Sequence, residues 1–113
     1  MFTDYMFIGC KKLSSVSFDK NKITSHGSNV FGYDDSTNYD APYVNTIKYL
    51  DFPNLTGSNH GHKFLCYRNL ISANLPRMTS IREYDFAYLS NLVSVYMPNC
   101  TLIETRAFYE SGI

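Results

Sequence analysis

Along residues 70–113 the apolar positions fall into two matching series. In "LISANLPRMTSIREYDFAYLSN" (70–91) and "LVSVYMPNCTLIETRAFYESGI" (92–113), Leu70/Leu92, Ala73/Val95, Leu75/Met97, Pro76/Pro98, Met78/Cys100, Ile81/Ile103 and Phe86/Phe108 correspond without a gap. The first apolar positions of each series close on a spacing of two, the period of a strand with one face turned inward. Pro follows directly, and a residue without an N–H ends a ladder. The apolar anchors after it and the Phe return the chain behind the strand. "EYDFAYL" and "TRAFYES" can make one helical turn and are too short for a helix that stands alone.

The same series runs toward the N-terminus. Residues 47–69 place Ile47, Leu50, Phe52 and Pro53 in phase, with one extra residue before Phe64. Residues 13–46 supply Leu13, Val16, Phe18, Ile23 and Phe31, carry Asp19 at the Pro position, and add the insertion "GYDDSTNYDAPYVNT" at 32–46. Residues 1–12 form the tail of one more unit, since Phe7 precedes Leu13 by the interval that separates Phe64 from Leu70 and Phe86 from Leu92. One domain over 1–113 is therefore expected, with a partial unit at 1–12 and units at 13–46, 47–69, 70–91 and 92–113.

A single unit of this length cannot bury its own apolar side, whereas stacked units can. Parallel strands need a connection of about a dozen residues, which each unit provides. The pattern predicts a solenoid of short parallel strands forming a concave sheet, with turns and short helical segments on the convex side. Because the chain as written starts inside one unit and stops just after the Phe of another, it reads as a fragment of a longer repeat array. End-to-end self-association through uncapped units is the companion expectation.

Composition narrows the function. Lys+Arg and Asp+Glu both count 10, giving zero formal net charge. That argues against a nucleic-acid partner, which requires a cationic face for its phosphates. No apolar run approaches the ~20 residues of a membrane span, and "MFTDYMFIGCKK" lacks the basic start of a signal peptide. Cys10, Cys66 and Cys100 are too few and too scattered for a disulfide framework or zinc site, and are expected to be buried thiols. Ten Tyr and eight Phe against no Trp suit surfaces that pack a ring and expose a hydroxyl. No phosphate-binding Gly loop, GxSxG or Cys–His–acid motif is present, so the expected class is not an enzyme and no cofactor is expected.

The unit "LxxLxLPxxxxxIxxxxF" in 70–91 and 92–113, with "YMFIGCKKL" (5–13) similar to an "AFxGCxxL" signature, resembles the BspA-like leucine-rich repeats of the Treponema pallidum type. The resemblance spans nearly the whole chain apart from 32–46. It implies a leucine-rich repeat solenoid within a cell-surface or secreted protein that serves adhesion or protein–protein contact. The partner implied is a protein or host-surface macromolecule, and the location extracellular. The alternative is a set of structural spacer repeats with no binding activity of their own.

Strand residues between the inward-facing ones form two expected columns: Ser15, Tyr49, Ser72, Ser94, and Ser17, Asp51, Asn74, Tyr96. From these, with Arg77 at a strand end, the candidate binding residues are Tyr49, Asp51, Asn74, Arg77, Ser94 and Tyr96. Tyr33, Tyr39 and Tyr43 of the inserted loop form a second candidate set, because long loops on rigid scaffolds often carry function. "TSHGSN" and "SNHGHK" bring His26, His60 and His62 to corresponding turns. Zinc or nickel binding there is conceivable, but the reading adopted is polar surface turns without a metal.

Overall fold

The computed structural model describes residues 1–31, 42–57 and 60–113. Strands β1 (Tyr49–Asp51), β2 (Ser72–Asn74) and β4 (Ser94–Tyr96) make a parallel sheet in the order β1-β2-β4. A second, two-stranded parallel sheet joins β3 (Ser80–Ile81) to β5 (Leu102–Ile103). Pairing follows the repeat: Tyr49, Ser72 and Ser94 are in register, as are Leu50, Ala73 and Val95, and Asp51, Asn74 and Tyr96. The middle residue of each strand turns inward, so Leu50 and Ala73 are buried.

Strands this short contribute few ladder bonds, so much of the cohesion comes from behind them. Phe64 stacks on Phe86 at 4.8 Å and Phe86 on Phe108 at 5.3 Å, while Phe7 stacks on Phe31 at 5.1 Å. Each buried Phe side chain contributes roughly 1.5–3 kcal/mol of burial, and a well-oriented ring pair roughly 0.5–1.5 kcal/mol more. A second ladder tracks this column. The N–H groups of Phe7, Phe64 and Phe86 donate to the carbonyls of Val30, Asp85 and Ala107 in the next units, at 2.7, 2.9 and 2.8 Å.

The segments around each Phe are turns, not the helical segments expected. The residue two before Phe has positive φ in every unit: Tyr5 at 57°, Asn29 at 51°, His62 at 60°, Tyr84 at 61° and Arg106 at 66°. Two after it, Gly9, Tyr88 and Glu110 are also left-handed, at 78°, 64° and 53°. A left-handed residue on either side of Phe stops a right-handed helix from propagating.

Two further differences bear on the site. Residues 14–19 form no strand, so β1 begins the three-stranded sheet. A 3-10 turn at Lys20–Lys22, capped by the Asp19 carboxylate on the Asn21 N–H, follows in place of the Pro break. His26 is a core residue, 3% exposed, not part of a polar surface turn. It lies five before Phe31, as Ile81 lies five before Phe86, and its backbone bridges in parallel to Phe2, itself five before Phe7. The histidine thus fills the slot that isoleucine fills elsewhere.

Candidate functional site

The exposed face of the β1-β2-β4 sheet carries Tyr49, Ser72 and Ser94 in one column and Asp51, Asn74 and Tyr96 in the other, while Ser15 and Ser17, expected to head these columns, lie in the segment that forms no strand. Tyr49 and Tyr96 are its most open members, at 67% and 59% exposure, with Asn74 and Ser94 also exposed. Along the second column the Asn74 amide donates to Asp51 Oδ1 at 3.0 Å, and Lys20 pairs with Asp51 Oδ2 from the neighbouring 3-10 turn. The bond from Lys20, then that from Asn74, holds the Asp51 carboxyl below the usual carboxylate range, so the face bears a fixed carboxylate on the edge strand that carries Tyr49. Arg77 is exposed in the turn that follows Pro76, while the Pro76 carbonyl accepts from the Asn99 amide at 2.8 Å.

Of the loop candidates, Tyr33 and Tyr39 lie outside the described residues. Tyr43 is half-buried on a 3-10 turn at Pro42–Thr46, its ring 5.4 Å from that of Phe31 and its N–H bonded to the Leu13 carbonyl at 2.9 Å. Burial pushes its hydroxyl pKa up. The structure brings Tyr43 together with Tyr49 and Asp51 around one cavity of about 280 Å³. Phe18, Lys20 and Ile47 share its walls, and Phe2, Leu50, Phe52 and Tyr67 also line it. Sequence reading placed Tyr43 and Tyr49 in separate sets and did not find this cavity.

A larger hollow of about 460 Å³ lies at the Phe2–His26 bridge. His26 lines it, but both its ring nitrogens are engaged, Nδ1 with the Gly27 carbonyl at 2.9 Å and Nε2 with the Tyr67 hydroxyl at 2.7 Å. The carbonyl accepts from Nδ1–H, so Nε2 accepts from the tyrosine. Burial, reinforced by the charge of Lys63 and opposed by the Gly27 carbonyl, lowers the His26 pKa to about 4. His60 is exposed, and the half-buried His62 packs its ring 5.1 Å from Tyr84. Among the described residues no group of three or more His, Cys, Asp or Glu is placed to hold a metal ion. No disulfide joins the three cysteines, and Cys10 is exposed and Cys100 half-buried, against the expectation of three buried thiols.

A second buried polar pair, unforeseen from sequence, joins the adjacent units. Lys63 Nζ lies 2.8 Å from Asp85 Oδ2, with side chains only 1% and 0% exposed. Each residue directly precedes a stacked Phe, where Ala107 stands in the last unit. Asp85 also accepts from the N–H groups of Lys63 and Arg82, at 3.1 and 2.7 Å.

In-register parallel strands, a stacked Phe column and turns repeating with each unit define a leucine-rich repeat protein. The family model for the BspA type leucine rich repeat region matches residues 1–113 in six copies, and the chain belongs to that family. The family works in general through repeat-mediated interaction or adhesion, is in general non-catalytic, and is typically surface-associated. No curated protein and no solved structure matches the chain. Among the described residues no helix is long and apolar enough to cross a membrane.

Proposed function

We propose that this chain is a non-catalytic binding module of a surface or secreted protein, and that the face bearing Tyr49, Asp51, Asn74, Ser94 and Tyr96 is the concave side of a short solenoid that receives a protein partner. The observation that carries the reading is the pair of exposed, in-register columns with Tyr49 and Tyr96 at opposite edges of the sheet. Tyr supplies large contact area at low conformational cost, and small Ser and Asn side chains between two rings leave room for a partner to approach. Arg77 adds a cation at the strand ends.

The test is capture of host-surface proteins by the immobilised chain and by its Tyr49→Ala/Tyr96→Ala variant, with circular dichroism on both. The module reading requires capture that the double substitution removes while the spectrum stays unchanged. Capture that survives the substitution moves the site off this face. No capture by either chain favours spacer repeats.

A further inference from the structure

The cavity beside β1 carries an inference that deepens the reading above and rests on it. The Lys48 carbonyl and the Phe52 N–H both bond toward β2. Residues of a parallel strand address alternate sides, so the peptide groups of Tyr49 and Asp51 point the other way. Among the described residues no main-chain hydrogen bond joins 14–18 to β1. The cavity, lined by residues on both sides of this break, therefore lies beside a strand edge whose outward N–H and carbonyl groups have no main-chain partner among the described residues.

Volume, lining and charge narrow the occupant. At about 280 Å³ the cavity falls just under the roughly 300–1,000 Å³ of small-molecule sites, which suits one large side chain better than a cofactor. Its walls are aromatic and aliphatic, from Phe18, Tyr43, Ile47 and Tyr49. Its only charged lining residues among those described, Lys20 and Asp51, neutralise each other. A rim without net charge complements an uncharged group. We propose that this cavity takes one large apolar side chain from an extended segment of a protein partner, whose main chain lies along the Tyr49–Asp51 edge and exchanges hydrogen bonds with it.

The probe is the capped peptide Ac-Ser-Thr-Phe-Thr-Ser-NH2, titrated into the 15N-labelled chain beside a counterpart with Ala in place of Phe. The expected result is saturable shifts of the Tyr49 and Asp51 amides, at least tenfold weaker binding of the Ala peptide, loss of the shifts in Ile47→Trp, and their retention in Tyr96→Ala. Absence of shifts at Tyr49 and Asp51 in the unsubstituted chain, or equal affinity for both peptides, overturns the proposal whatever the variants do. Macromolecular capture lost in Tyr96→Ala but kept in a folded Ile47→Trp overturns the cavity alone and leaves the binding face standing. Selective peptide binding with capture unaffected by Tyr96→Ala supports the cavity and overturns the wider face.

Discussion

The Tyr67 hydroxyl donates to Nε2 of His26 at 2.7 Å, joining two repeat units inside the core. Where His26 stands, other units carry Ile81 and Ile103, and Tyr67 stands where Leu89 does. A buried hydrogen bond thus stands at two positions that carry aliphatic side chains in other units, between two rings whose centroids lie 5.7 Å apart.

The pair makes stability depend on pH. The folded pKa of His26, about 4, lies below the ordinary imidazole value of 6.5, so between those values the unfolded chain binds more protons. Stability is full above pH 6.5 and falls as pH drops toward 4, by about 2 kcal/mol on going from pH 7 to pH 4.5. Asp85 works in the opposite direction, because burial raises its pKa and the folded state gains relative stability on acidification. The measurement is therefore the difference between the native chain and His26→Ile in urea unfolding at both pH values. His26→Ile alone leaves the Tyr67 hydroxyl without its acceptor and costs roughly 1–3 kcal/mol at pH 7. His26→Ile by itself already abolishes the extra slope, and adding Tyr67→Leu is expected to recover most of the lost stability. A double variant as acid-sensitive as the native chain excludes His26 as the source.

The Lys63–Asp85 pair gives an asymmetric result on substitution. Asp85→Ala strands a buried ammonium beside the Phe column and is expected to cost about 3–5 kcal/mol. Lys63→Met combined with Asp85→Ala removes both charges, fills much of the lysine's volume, and installs the Ala that position 107 already carries. Its expected cost is smaller, about 1–3 kcal/mol, set by the Lys63 and Arg82 N–H groups that lose the Asp85 acceptor. Thermal unfolding of the single and double variants decides this. Equal losses in the two mean that the pair contributes net stability and is not merely tolerated.

Left-handed turns set a third expectation. Glu110 is exposed at φ 53°, in the place that glycine holds at position 9. A non-glycine residue there costs roughly 1–2 kcal/mol of backbone energy, partly offset by the freedom glycine gains in the unfolded chain. Glu110→Gly should stabilise by about 0.5–1 kcal/mol, and Gly9→Ala should destabilise by about 1 kcal/mol, although a Cβ at position 9 meets nothing within 4 Å. Gly61→Ala is expected to be worse for a different reason, because its Cβ would collide with the Glu83 carbonyl oxygen. Denaturant midpoints in the order Glu110→Gly, native, Gly9→Ala, Gly61→Ala meet the expectation; a destabilised Glu110→Gly contradicts it.

What was legible in the sequence follows from how each feature is encoded. Alternation ending in Pro at Leu75–Pro76 and Met97–Pro98 marked β2 and β4, and the repeat length carried their register. The two-residue strands β3 and β5 were illegible, since two residues show no period. His26 escaped because three residues, Lys20–Lys22, make an extra turn before Ile23 and shift the unit against its Pro; counting back five from Phe31 instead of forward from Asp19 would have found it. The left-handed positions left a glycine only at residue 9. The cavity could not be read at all, because it depends on the failure of residues 14–19 to pair with β1.

The last expectation concerns the face that unit 92–113 turns away from its neighbour. Ile81 is 0% exposed beneath that unit, whereas the equivalent Ile103 is 53% exposed, with Leu102 and Val93 also open. The outer edges of β4 and β5 continue a parallel pairing that inner units complete. At the opposite end, Tyr5 and Met6 are exposed around the first Phe of the column. In the chain taken by itself the outer face of unit 92–113 repeats the inner stacking surface, and it is expected to meet the opposite face of a second copy in a head-to-tail contact that does not close on itself. Sedimentation velocity should show mass rising with concentration and with added salt, since the contact is apolar. Ile103→Lys should abolish the rise while lowering the unfolding midpoint little, because that side chain is already half in water. Persistent association in a folded Ile103→Lys would place the contact elsewhere, and a monomer at every concentration would remove it.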